Sequence, residues 1–106
     1  MVEFLPQSYR ILAVDDSNVV LHMVQSTLSR AGFQVMTATS GEDALALIQG
    51  EGLPHLALVD INMPFGMDGF EFCEAVLEFS DLPIIMLTAV DESDTIIQAI
   101  EQYAED

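Results

Sequence analysis

Positive charge is what this chain most conspicuously lacks. Among 106 residues, Lys and Arg total 2 against 18 Asp and Glu, for a formal net charge of −16. That balance argues against nucleic acid or an anionic membrane surface as a partner of this segment, and fits a cation or a basic protein surface better. Cysteine is nearly absent too. A lone Cys73 excludes an internal disulfide, and its apolar helical setting reads as a buried structural thiol. The N-terminus has no basic region followed by a long apolar run, so no signal peptide is read there. No apolar stretch approaches the roughly 18 residues of a membrane span, and a cytoplasmic location is the default expectation. There is also no glycine-rich phosphate loop after the first apolar run. Asp-Asp-Ser stands in its place, where acid would repel a pyrophosphate, which argues against a flavin or dinucleotide domain.

What is present is a core. Hydrophobic residues make up 51% of the chain, too many for a disordered acidic tail and, at this length, enough for one domain. Residues 1–9 read as a loose lead-in with Pro6 blocking early regular structure. Residues 10–14 read as a strand covered on both faces. Asp16 or Ser17 is placed to cap a helix running to about Arg30, with Val20, Leu21, Met23, Val24 and Leu28 on its apolar face and Ala31-Gly32 ending it. Residues 33–38 form a second strand. Ser40 caps the next helix, with Asp43 three positions on in a box-like arrangement, and Ala44, Leu45, Leu47 and Ile48 on its buried side. Gly50 to Pro54 is a loop, 55–59 a third strand, and 63–69 another loop. A helix over 70–79 is expected to turn Phe70, Cys73, Val76 and Leu77 inward. Residues 84–87 make a fourth strand, closed by Thr88-Ala89. A fourth helix over 92–104 carries Ile96, Ile97, Ile100 and Tyr103 at helical spacing. Four βα units in succession predict a doubly wound parallel α/β sheet with helices on both faces.

Three acids stand at the ends of apolar strands: Asp15 and Asp16 after 11–14, and Asp60 after 56–59. In a parallel sheet the carboxyl ends of neighbouring strands meet at the switch point where ligands bind. Three carboxylates brought together there repel one another unless a cation lies between them. A small hard cation such as Mg²⁺, which takes oxygen ligands at about 2.0–2.1 Å, suits them. One of the three is then a candidate nucleophile.

With these residues in view, the chain resembles the receiver domain of bacterial two-component response regulators over 10–106. The resemblance rests on Ile-Leu-Ala-Val-Asp-Asp-Ser at 11–17, Leu-Val-Asp-Ile-Asn-Met-Pro at 58–64, Met-Asp-Gly-Phe-Glu at 67–71 and Ile-Met-Leu-Thr-Ala at 85–89. It implies a flavodoxin-like fold with strand order 2-1-3-4-5. It implies that Asp60 accepts a phosphoryl group, that Asp15 and Asp16 hold Mg²⁺, and that Asn62 lends its backbone carbonyl to the metal. Thr88 takes the place of the switch hydroxyl and Ala89 that of the small residue beside it. The implied role is signalling, not general enzymology: the domain catalyses only its own aspartyl phosphorylation and dephosphorylation. Its implied partners are a sensor histidine kinase or phosphotransfer protein, and an output domain elsewhere in a parent chain.

Two departures from the family pattern stand out. The glycine usually eight positions after the phospho-acceptor is here Gly69, nine after Asp60, with Phe65 or Gly66 as the extra residue of a local bulge. The fifth strand and helix, and the family's phosphoryl-contacting lysine, would fall beyond Asp106. A chain of this extent is expected to expose the edge of its fourth strand and to self-associate. An alternative function is a non-phosphorylated dimerisation or docking module of the same fold. A haloacid-dehalogenase-type phosphotransferase is disfavoured because Asn62 stands where that chemistry wants a second aspartate. His22 and His55 read as ordinary surface or half-buried histidines. Met63, Met67 and Met86, with Phe65, Phe70 and Phe72, read as packing residues.

Overall fold

The computed structural model describes residues 5–64 and 66–87. Phe65, and the stretch containing Thr88, Ala89 and the helix expected over 92–104, lie outside the described residues. Strands β1 (Arg10–Val14), β2 (Gln34–Ala38), β3 (Leu56–Asp60) and β4 (Ile84–Leu87) alternate with helices α1 (Asn18–Arg30), α2 (Gly41–Glu51) and α3 (Gly69–Leu77). The four strands form one sheet in the order β2-β1-β3-β4, all parallel, as the alternation of elements predicts. Residues 6–8 depart from the expected loose lead-in and form a 3₁₀ turn. Proline's fixed φ suits it to the opening position of such a turn, and the Gln34 side chain donates to the Gln7 carbonyl at 2.7 Å, tying the turn to β2.

Side chains alternate across a strand, so each central strand feeds two cores. Leu12, Val14, Ala57 and Val59 pack with Ala44 and Ile48 of α2 and with Phe72 and Val76 of α3. Ile11, Ala13, Leu56 and Leu58 pack with Leu21, Val24 and Leu28 of α1 on the opposite face. This explains the unbroken apolar runs: β1 and β3 have no solvent face. Each fully buried Val, Leu or Ile side chain here contributes roughly 1.5–3 kcal/mol through removal from water.

The helix ends show where local chemistry sets the boundaries. The Ser17 hydroxyl accepts from the Val20 amide at 3.2 Å and caps α1. The Ser40 hydroxyl accepts from the Asp43 amide at 3.1 Å, but the expected reciprocal arm is not formed. The Asp43 carboxylate instead accepts from the Thr39 hydroxyl at 3.4 Å; it is one methylene shorter than the glutamate that a full box uses. Helix α2 runs through Gly50, which was expected in a loop, and ends at Gly52, whose φ of 90° supplies the left-handed turn. The full capping box belongs to α3: the Asp68 carboxylate accepts from the Glu71 amide, and Glu71 reaches back to the Asp68 amide.

Helix α3 also corrects the expected burial. Its inward residues are Gly69, Phe72 and Val76, whereas Phe70 and Leu77 are 57% and 52% exposed. Cys73 is half-buried, its Sγ 3.5 Å from Met86 Sδ, and burial pushes the thiol pKa up. The helix begins at Gly69, one residue before the expected start, and is seated on the end of β3. That leaves Phe70 and Leu77 on the outer side, while Cys73 at the margin still packs against the core. Met23, expected on the apolar face of α1, is likewise exposed.

Candidate metal and phosphoryl-transfer site

Strand β1 ends at Val14, and the chain turns directly into α1. The Asp15 amide still donates to the Ala38 carbonyl at 3.1 Å, extending the β1–β2 ladder by one rung. The Asp15 side chain is therefore held at the sheet's carboxyl edge, only 9% exposed, with its Oδ1 accepting from the Ser17 amide at 2.9 Å. Asp16 follows on the exposed side. Asp60 is the last residue of β3, paired in register with Leu87 of β4, not the first residue past the strand. Its Oδ1 accepts from the Asn62 amide at 3.2 Å. Gly69 lies against the Asp60 carbonyl so closely that a Cβ there would collide with it.

These placements bring ligand oxygens of Asp15, Asp16 and Asp60 within 4.8 Å of one another. Burial and crowding both act on Asp15. Its pKa rises from 3.8 to about 6, chiefly because burial penalises the charged form, with the Asp60 and Asp16 charges adding to the rise and the Ser17 amide opposing it. Neither basic residue of the chain relieves this repulsion. Arg10 opens β1 at the other end of the strand, where its guanidinium donates to the Glu51 carbonyl at 3.1 Å. Arg30 ends α1 and donates to the Ser26 hydroxyl at 3.3 Å. An all-oxygen, all-acidic cluster without a cationic side chain could hold a hard divalent cation.

The sequence of the family described as "Response regulator receiver domain" matches residues 11–106. The chain belongs to that family. The receiver is a signalling domain of two-component systems, and members of its family hold Mg²⁺ in an acidic pocket. It is 39% identical over 97 residues to a "Probable transcriptional regulator ycf27" of Cyanophora paradoxa, covering 92% of this chain and 40% of that protein. It is 36% identical over 96 residues to "Transcriptional regulatory protein AfsQ1" of Streptomyces coelicolor, covering 91% of this chain and 42% of that protein. The receiver thus spans about two-fifths of the length of these curated relatives. The chemotaxis protein CheY4 of Vibrio cholerae superposes with a TM-score of 0.80 at 30% identity, covering 89% of this chain and 97% of that one.

Of the residues that the resemblance singles out, the structure brings together Asp15, Asp16 and Asp60, and places the Asn62 amide on Asp60. Thr88 lies outside the described residues. His55 is a structural histidine of the opposite sheet edge: its Nδ1 accepts from the Arg10 amide at 3.0 Å, and its ring meets that of Tyr9 edge-on at 5.3 Å. His22 is exposed on α1 and faces a groove of about 670 Å³ beside β2, whose walls include none of the three aspartates. No helix among the described residues is long and apolar enough to cross a membrane. The contact between Gly69 and Asp60 was not foreseen. Neither was the Asp68 cap, although Asp three positions before Glu is its sequence signature.

Proposed function

We propose that this receiver accepts a phosphoryl group on Asp60 in an Mg²⁺-dependent reaction. The observation that carries this reading is the convergence of three carboxylates within 4.8 Å at the end of the strands, with both arginines engaged elsewhere. Asp60 Oδ1 is occupied by the Asn62 amide, which fixes the carboxylate plane and leaves Oδ2 to attack. Asp15, clamped by the Ser17 amide, and Asp16 are the other two metal-binding carboxylates. Asn62 offers its carbonyl, as the resemblance implies. Bound Mg²⁺ would neutralise the charge between an anionic donor and the anionic nucleophile, the larger part of what phosphoryl transfer asks of a protein.

The step itself is a displacement at phosphorus. The Oδ2–P bond forms while the bond from phosphorus to the donor breaks. The donor leaves as a neutral imidazole, when it is a phosphohistidine that has taken up a proton, or as a carboxylate, when it is an acyl phosphate. The product is an aspartyl phosphate, with added charge and acceptor oxygens just beyond β3. We assign Thr88, on the resemblance, the hydroxyl that donates to one of these oxygens and biases a two-state surface. A sensor histidine kinase or phosphotransfer protein is the donor, and an output module of the kind carried by the longer transcriptional regulators is the reader.

The test is the intact mass of the chain after incubation with acetyl phosphate, with and without Mg²⁺, beside Asp60→Asn. A gain of one phosphoryl group that needs both Mg²⁺ and Asp60 supports the reading. No gain in the unmodified chain would favour a docking module that works without phosphorylation.

A further inference from the structure

Glu42 stands in the first turn of α2 and contributes no oxygen to the aspartate cluster. Its carboxylate points across to the loop between β3 and α3, where Oε1 accepts from the Met67 amide at 3.1 Å. Gly66 passes over the same carboxylate with a φ of 75°. A Cβ at Gly66 would lie 2.6 Å from Glu42 Oε2, so a side chain there would displace the carboxylate and strain the turn. The grip is doubled one residue away on each side: a Cβ on Gly41 would lie 2.8 Å from Met67 Cγ and Sδ. Two consecutive residues of α2 thus hold two consecutive residues of the loop. That loop starts at Asp60, whose carboxylate is fixed by the Asn62 amide, and ends at Gly69, which lies against the Asp60 carbonyl.

We infer that Glu42 is a positioning residue: its bond to the Met67 amide holds residues 66–68, and through Gly69 against the Asp60 carbonyl it holds Asp60, in the geometry that binds the divalent cation. The inference rests on the reading of Asp15, Asp16 and Asp60 as an Mg²⁺ site. Residues that orient metal ligands without touching the metal commonly matter this much to affinity. An acid in the first turn of a helix also favours the helix dipole, a role that charge alone would serve. Glutamine separates the two, because it loses the charge and keeps an Oε1 acceptor.

The experiment is an Mg²⁺ titration of the full chain by calorimetry for wild type, Glu42→Ala, Glu42→Gln and Asp15→Asn. It is paired with amide hydrogen exchange on the metal-free proteins. Glu42→Ala is expected to weaken Mg²⁺ binding about tenfold and to speed exchange of the Met67 and Asn62 amides while leaving the β1 amides unchanged. Glu42→Gln is expected to stay within about threefold of wild type, as replacement of one acceptor by another allows. Equal losses in the two Glu42 variants would show that charge, not the hydrogen bond, matters, and would overturn the inference. So would unaltered binding in Glu42→Ala, with the metal site itself left standing. A wild-type chain that binds no more Mg²⁺ than Asp15→Asn would overturn the metal site and the positioning role together.

Discussion

Replacing Asp15 with asparagine should stabilise the metal-free chain while abolishing its response to Mg²⁺. The magnitude follows from the site. The Asp15 pKa rises from 3.8 to about 6 in the fold, and each unit corresponds to about 1.4 kcal/mol between protonation states. Asp16 opens the cluster to solvent, whose screening leaves about 2 kcal/mol of the total. The sign is set by the direction of the shift. An acid whose folded pKa lies above its unfolded value of about 3.9 contributes stability that is fully present below that value. This contribution is lost as the pH rises through about 6. Wild type should therefore lose stability relative to Asp15→Asn between about pH 4 and about pH 7, and above that the variant leads by about 2 kcal/mol. In a domain of this size that is roughly 10 °C in Tm. Asparagine keeps the Oδ1 acceptor for the Ser17 amide, so the cap geometry is not the variable. Urea denaturation in the presence of a chelator, repeated across this pH range, reads the gap. Added Mg²⁺ should stabilise wild type by mass action and leave the variant unmoved. A gap that does not change with pH, or a variant less stable than wild type at pH 8 without metal, would refute the reasoning.

Further outcomes follow from the packing around the site. Gly69→Ala should destabilise the chain by about 2 kcal/mol or more, because its Cβ would meet the backbone carbonyl of Asp60 and neither can yield cheaply; the urea midpoint checks it. Phe72→Ala should cost about 3–5 kcal/mol as a fully buried aromatic. Phe70→Ala, at a position 57% exposed, should stay within about 0.5 kcal/mol, and a melting comparison of the two separates them. Asp68→Ala should cost about 1 kcal/mol through loss of the capping box on α3, seen as faster hydrogen exchange in the first turn of that helix.

Much of the architecture was legible because the signals were redundant. The apolar runs at 11–14 and 56–59 read as strands covered on both faces, and their alternation with helices pointed to a parallel sheet. Ser40 marked one helix start by its chemistry, and Asp16 or Ser17 another, which the structure assigns to Ser17. The acids following those runs marked the edge of the sheet where the three carboxylates come together. The misreadings share a cause: spacing reports a period but not its phase. Phe70 and Leu77 fit one face of a helix as readily as Phe72 does, and only Val76 and, in part, Cys73 of the expected set turn inward. What chose between the faces was the seat of Gly69 on the Asp60 carbonyl, a contact between residues nine positions apart. Gly50 reads as a helix breaker until Gly52 is seen to take the positive φ. The grip of Glu42 on Met67 joins residues 25 positions apart in the chain and leaves no periodic trace at all. Asp15 shows a parallel limit for electrostatics. Its identity as an acid was plain, but the rise in its pKa depends on a burial that only the folded sheet creates.

Asp60 as the acceptor is tested most directly by locating the phosphoryl group chemically. After reaction with acetyl phosphate and Mg²⁺, borohydride reduces an aspartyl phosphate to homoserine, and peptide mass spectrometry then identifies the residue that carried it. The account predicts homoserine at position 60, dependent on Mg²⁺ and absent from the Asp15→Asn variant. Homoserine at another aspartate, or at position 60 to the same extent without metal, would contradict it.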